Sequence, residues 1–125
     1  MNEENKKRII ITGGLGYIGM ELAKLYSGQT RKTNVTVIDN QYFISRVSQL
    51  KRWGIEFKQV DILDSENISK YLAKADIIYH LAGITDVSTT IHDIDKKKDQ
   101  LVRNVGINGT KNIIKFSSAN ARIIF

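Results

Sequence analysis

The sequence contains no cysteine and no proline. The first absence excludes disulfides, thiolate metal sites and a thiol nucleophile, and it fits a reducing compartment. The second removes the most rigid marker of turns and domain boundaries, so no linker is signalled from this source. No stretch of eighteen or more apolar residues occurs, which argues against a membrane-spanning helix. The opening residues, MNEENKKR, are polar and have no apolar segment behind them, so no secretory signal is visible. The expectation is a cytoplasmic protein without a membrane partner. Histidine is scarce too: His80 and His92 are the only two. Neither stands with acids at metal-ligand spacing, and no metal site is expected. His80 reads as a packed residue at a strand end. The net charge is +6, with clusters at Lys6–Arg8 and Lys96–Lys98. Aromatics are not interleaved with these clusters and no nucleic-acid motif accompanies them, so they read as solvated flanks, with no nucleic-acid partner.

What is present is an ordinary globular composition. The chain has 125 residues, 42% of them apolar and 26% charged, enough for one domain with a real core. Arg8 to Thr12 (RIIIT) is an apolar run of the buried-strand type. Ile18, Leu22, Leu25 and Tyr26 then fall on one helical face, with Gly28 as a stop. Val35 to Asp39 reads as strand two, and Phe43, Val47 and Leu50 as a short helix before Gly54. Strands three and four follow at Ile55–Val60 and Ala75–Leu81, separated by a helix capped by Asp64 or Ser65 and running to about Ala73. A mixed loop from Gly83 leads to a long helix, capped by Asp95 and ending near Ala119. Its inward stripe is Leu101, Val105, Gly109, Ile113 and Phe116. ARIIF, at Ala121–Phe125, is a fifth strand. Strict strand–helix alternation predicts an α/β fold: a Rossmann-type, doubly wound parallel sheet of order 3-2-1-4-5, with a ligand crevice where the order reverses. Residues 1–7 read as a polar tail, and residues 8–125 as the folded domain.

TGGLGYIG, at Thr12–Gly19, joins strand one to helix one. Gly13, Gly16 and Gly19 are spaced for a tight turn, a close backbone approach to a pyrophosphate and close packing of the helix on the sheet. The helix N-terminus behind them offers free N–H groups to an anion. Asp39 ends strand two, 20 residues past Gly19. A carboxylate there accepts from both adenosine ribose hydroxyls and repels a 2′-phosphate, which points to NAD rather than NADP. Together the triplet and the acid make a dinucleotide site the expectation.

With GYIG inside the triplet, the sequence resembles the NAD-dependent epimerase/dehydratase family, the extended short-chain dehydrogenases typified by UDP-glucose 4-epimerase. The resemblance covers nearly the whole chain from Arg8. It implies that Tyr17 and Ile18 join the glycines at the cofactor. It implies that Asn40 joins Asp39 at the ribose. Asp61 would approach the adenine amino group and Ile62 the ring. Leu81, Ala82 and Gly83 would pass beside the cofactor at the end of strand four. NGTKNII matches the family's Gly-Thr-x-Asn signature. One position departs: the family's asparagine three residues before that glycine is here Gly106. Asn104 stands two residues away, a rotation of about 200° on a helix, so it does not replace it.

The resemblance also implies a catalytic Tyr-x-x-x-Lys pair beyond strand five, in which lysine lowers the tyrosine pKa so that the phenolate takes a proton from a sugar hydroxyl. Four residues after the five tyrosines stand Glu21, Thr30, Arg46, Ala75 and Gly83. None is lysine, and Tyr42-x-x-x-Arg46 reads as ordinary helix composition. No catalytic residue is therefore assigned. The chain is expected to be the NAD-binding portion of a longer nucleotide-sugar enzyme, truncated after strand five and inactive alone, with the nucleotide sugar as partner of the full-length parent. A non-catalytic dinucleotide sensor is the alternative. Thr85 and Ser88 read as turn hydroxyls after strand four. An apolar edge at strand five is expected to favour self-association.

Overall fold

The computed structural model describes residues 3–83 and 96–125. Five strands form one sheet: β1 (Lys7–Thr12), β2 (Thr33–Asp39), β3 (Glu56–Gln59), β4 (Ile77–His80) and β5 (Arg122–Ile124). Their order is β3-β2-β1-β4-β5 and every pairing is parallel. This is the doubly wound order that strand–helix alternation predicts. Helices α1 (Tyr17–Tyr26), α2 (Ile44–Arg52) and α3 (Ser65–Leu72) alternate with the first four strands. A longer helical passage precedes β5, made of α4 (Lys96–Asn104), a wide π turn (Val105–Gly109) and α5 (Thr110–Phe116). The turn hydroxyls expected at Thr85 and Ser88, His92 and the cap expected at Asp95 lie outside the described residues.

Alternating side chains divide the core into two layers. Ile9, Ile11, Val35 and Val37 face one way, where Ala23 of α1 and Leu50 of α2 meet them. Ile10, Ile38 and Ile78 face the other, against Ile68 and Leu72 of α3 and Ile113 of α5. Both faces of the central strands are covered, so they read as unbroken apolar runs. The register sets Thr12 beside both Ile38 and His80. Asp39 lies one residue beyond Ile38, so the carboxyl ends of β1, β2 and β4 open at one edge of the sheet.

Three helical expectations are corrected. The inward face of α1 is not centred on Ile18 and Leu25, which are both 72% exposed. It is Gly19 and Ala23, both buried, with Leu22 and Tyr26 alongside. A Cβ on Gly19 would stand 2.4 Å from the Gly14 Cα, so the helix is packed against the glycine loop through its smallest residues. Gly28 is not a left-handed stop either: α1 tightens at Ser27 into a short 3-10 turn that contains it. The long helix is interrupted where its two glycines, Gly106 and Gly109, occupy the wide turn. Its inward stripe survives the interruption except at Leu101, which is 48% exposed and belongs to neither core layer. Gly109 and Ile113 are buried, and Val105 and Phe116 pack on the second core layer. Asp64 caps α3, accepting from the Asn67 N–H at 3.3 Å.

Candidate functional site

A cleft of about 700 Å³ lies at the carboxyl ends of β1, β2 and β4. Its first wall is the glycine loop. The Gly13 N–H donates to the Ile38 carbonyl at 2.8 Å, turning the chain sharply out of β1. Gly13 has φ +66°, and a Cβ there would stand 2.6 Å from the backbone of Ala82. No other residue fits that turn without strain. Gly16 is different. A Cβ on it would meet only the Gly13 carbonyl oxygen, at 3.4 Å. Packing does not require glycine at 16, whereas a bulky group brought to the backbone from the cleft side would.

Gly16 is also the N-cap of α1, and no side chain caps the helix. The first backbone bond of the turn runs from the Met20 N–H to the Gly16 carbonyl, at 3.0 Å. The N–H groups of Tyr17, Ile18 and Gly19 precede it and carry the positive end of the helix dipole. Glycines, unpaired helix donors and an open wall together fit a phosphate-bearing ligand.

Asp39 faces this loop across the cleft mouth. One carboxylate oxygen accepts from the Leu15 N–H at 3.1 Å and the other from the Gln41 N–H at 3.0 Å. Each oxygen keeps acceptor capacity beyond that single bond. The Leu15 carbonyl is held in turn by Arg46, whose Nη1 donates to it at 2.5 Å. The same guanidinium lies 5.3 Å from the Tyr17 ring centre and 5.1 Å from that of Phe43. One residue of the loop, Leu15, is thus fixed on both sides, by the Asp39 carboxylate on its N–H and by the Arg46 guanidinium on its C=O. Sequence spacing does not reveal Arg46, because its role comes from α2 lying against the loop.

A polar chain lies at the ends of β1 and β4, next in sequence to the cleft residues Gly13 and Leu81. The Thr12 hydroxyl lies 2.8 Å from His80 Nδ1 and accepts from the Ala82 N–H at 3.2 Å. His80 Nε2 lies 3.1 Å from the Thr110 hydroxyl. His80 is 8% exposed, and burial pushes its pKa below the ordinary value. Its surroundings are those of a packed residue.

Every residue expected at the cofactor lines this one cleft: Gly13, Gly16, Tyr17, Ile18, Gly19, Asp39, Asn40, Asp61, Ile62, Leu81, Ala82 and Gly83. Arg46, Phe43, Leu101 and Val105 line it too, and no sequence pattern placed them at the site. Asn104 does not. It lies on a separate surface groove with Leu63, Asn108 and Lys111, and its side-chain oxygen accepts from Asn108 Nδ2. A Cβ at Gly106 would meet nothing within 4 Å. Among the described residues no three His, Asp or Glu side chains converge as metal ligands, and no helix is long and apolar enough to cross a membrane.

Residues 10–124 match the model of the 3-beta hydroxysteroid dehydrogenase/isomerase family. The chain belongs to that family. UDP-glucose 4-epimerase of Mycoplasma genitalium is 37% identical over 111 residues, covering 87% of this chain and 31% of its own length. UDP-N-acetyl-alpha-D-glucosaminuronate decarboxylase of Bacillus cytotoxicus is 32% identical over 122 residues, covering 96% of this chain and 36% of its own. The chain therefore spans about a third of the length of these curated relatives. Among solved structures, UDP-glucose 4-epimerase of Stenotrophomonas maltophila, with bound NAD and formylated UDP-arabinopyranose, superposes with a TM-score of 0.67. That match covers 88% of this chain and 33% of the other at 22% identity, and it shows the shared fold. The likeness to NAD-dependent epimerases and dehydratases thus rests on family, relatives and fold together.

Proposed function

We propose that this chain is the NAD-binding portion of a nucleotide-sugar epimerase/dehydratase that acts by hydride transfer to and from bound NAD. The observation that carries the proposal is the single cleft in which Gly16, the uncapped start of α1 and the Asp39 carboxylate meet. Gly13, Gly16 and Gly19 would let the pyrophosphate reach the backbone, with the N–H groups of Tyr17 and Ile18 directed at it. Asp39, with Asn40 beside it, would take the adenosine ribose. Asp61 and Ile62 would border the adenine, and Leu81–Gly83 the path toward the nicotinamide. When bound, NAD supplies the hydride acceptor and donor of the reaction. The chain's own part is to bind and orient it.

The nucleotide-sugar substrate is supported by the two relatives, a UDP-glucose 4-epimerase and a UDP-N-acetyl-alpha-D-glucosaminuronate decarboxylase. A Tyr-x-x-x-Lys spacing is absent from the 125 residues, so the chain by itself is proposed to be inactive. A second reading, a dinucleotide sensor without catalysis, draws on Gly106, which presents no side chain where the family carries an asparagine.

Titration of NADH fluorescence tests the cofactor assignment. Asp39→Ala and Asp39→Asn should each weaken NADH binding by about tenfold or more, the loss expected for charge-assisted bonds. Both should also narrow the preference for NADH over NADPH, Asp39→Asn because it keeps the shape and loses the charge. Unchanged affinities for both dinucleotides would show that Asp39 is not at the ribose.

A further inference from the structure

We propose that Asn112 is a positioning residue for the adenine half of the cleft, holding Ile62 in place from helix α5. The inference rests on the cofactor assignment above. Asn112 Nδ2 donates to the Ile62 carbonyl at 2.9 Å, joining residues 50 positions apart. Gly109, three residues earlier at the end of the π turn, lies against the Ile62 side chain. A Cβ there would stand 2.3 Å from Ile62 Cδ1 and 3.0 Å from Cγ1. Ile62 is 5% exposed and lines the cleft. One residue of the cleft wall is therefore gripped twice, at its carbonyl by Asn112 and at its side chain by the space that Gly109 leaves.

The grip matters because the Ile62 side chain packs in the second core layer while the backbone of this segment has few directional ties. β3 ends at Gln59 and α3 begins at Ser65. Val60 still makes a sheet-type bond, its N–H donating to the Asp39 carbonyl at 3.1 Å. Beyond it the chain turns on local contacts: Asp61 Oδ1 accepts from the Leu63 N–H, and the Asp61 carbonyl from the Asp64 N–H, both at 2.9 Å. These bonds shape the turn without tying it to the rest of the cleft. Asn112 supplies the tie. Its chemistry suits the task, since a carbonyl needs a donor. Aspartate cannot donate when ionised, and leucine fills the same space with no donor at all.

A wall displaced by a fraction of an ångström would be felt most where recognition is directional. Asp61, next to Ile62, would take the exocyclic amino group of adenine. The discriminating probe is the analogue in which a carbonyl replaces that amino group, reduced nicotinamide hypoxanthine dinucleotide. Both dinucleotides would be titrated into the 125-residue chain at a temperature well below every variant's unfolding transition. The wild-type chain should prefer NADH. Asn112→Leu and Asn112→Asp should lower NADH affinity by about 3- to 10-fold and bring the two dinucleotides within about twofold of each other. Gly109→Ala, which pushes on Ile62 from the other side, should erase the same preference. Wild-type affinity and preference in Asn112→Leu would overturn the proposal. So would an equal loss for both dinucleotides, the mark of general loosening. A wild-type chain that binds neither dinucleotide would sink the cofactor assignment itself, and this inference with it.

Discussion

Gly13 and Gly16 belong to one spacing in the sequence and to two physical situations in the fold. Gly13 has a left-handed backbone and touches Ala82, so alanine there meets both torsional strain and a backbone clash. Gly16 has an ordinary extended backbone, φ −73° and ψ 176°, and room for a side chain to start with no more than a contact to the Gly13 carbonyl oxygen. Urea unfolding should therefore separate them. Gly13→Ala should cost about 3 kcal/mol or more, strain and overpacking together. Gly16→Ala should cost about 1 kcal/mol or less, the difference between glycine and alanine as an N-cap. Binding should follow the opposite logic: the nearly stable Gly16→Ala chain should lose NADH, because its methyl group enters the cleft. Equal destabilisation by the two changes, or full NADH affinity in Gly16→Ala, would contradict this account. The glycine spacing was legible in the sequence, but not which glycine serves the fold and which the ligand. That distinction depends on Ala82, 69 positions from Gly13.

Three elements meet at His80: β1 through Thr12, β4 through its own backbone, and α5 through Thr110. Its pKa is lowered by burial, so the folded state favours the neutral ring. The sign follows directly. Above the ordinary histidine value of 6.5 both states are neutral and this contribution is fully present. As pH falls through 6.5 toward the lower folded value, the unfolded chain takes up the proton first and stability is lost. Urea midpoints measured from pH 8 to pH 5 should decline in the wild-type chain, and His80→Gln should remove part of that decline. Parallel curves for the two proteins would show that His80 does not contribute. At this scale the sequence was legible wherever period and burial agree. Strand order, the stripe from Val105 to Phe116 and the Asp64 cap all follow from it, whereas Leu101, at the start of that stripe, is exposed. The face of α1 does not, because hydropathy favours Ile18 and Leu25 while close approach to the loop selects Gly19 and Ala23. Arg46 was hidden for a related reason: its partners are a backbone carbonyl and two aromatic rings set by packing of α2, which no spacing encodes.

The whole sheet has two edges, and they are guarded differently. β3 carries Glu56 and Lys58, which form an ion pair at 3.1 Å, and charges of this kind discourage pairing with another chain. β5 carries Arg122, Ile123 and Ile124, followed by Phe125, which is 71% exposed. Among the described residues β5 has a strand partner on one side only, β4. Ile123 packs into the second core layer, whereas Ile124 is not part of either core cluster. An apolar edge with a free row of backbone groups is a template for a second copy, and we expect the 125-residue chain to self-associate reversibly. Sedimentation velocity should show the weight-average coefficient rising with loading concentration. Ile124→Lys should flatten that rise, because it puts a charge on the edge without emptying the core. A constant monomer coefficient across the range would mean that the shortness of β5, three residues, already protects it. A rise that Ile124→Lys leaves unchanged would place the contact elsewhere on the molecule, for which the exposed Ile107 and Ile114 of the π turn and α5 offer the next apolar surface.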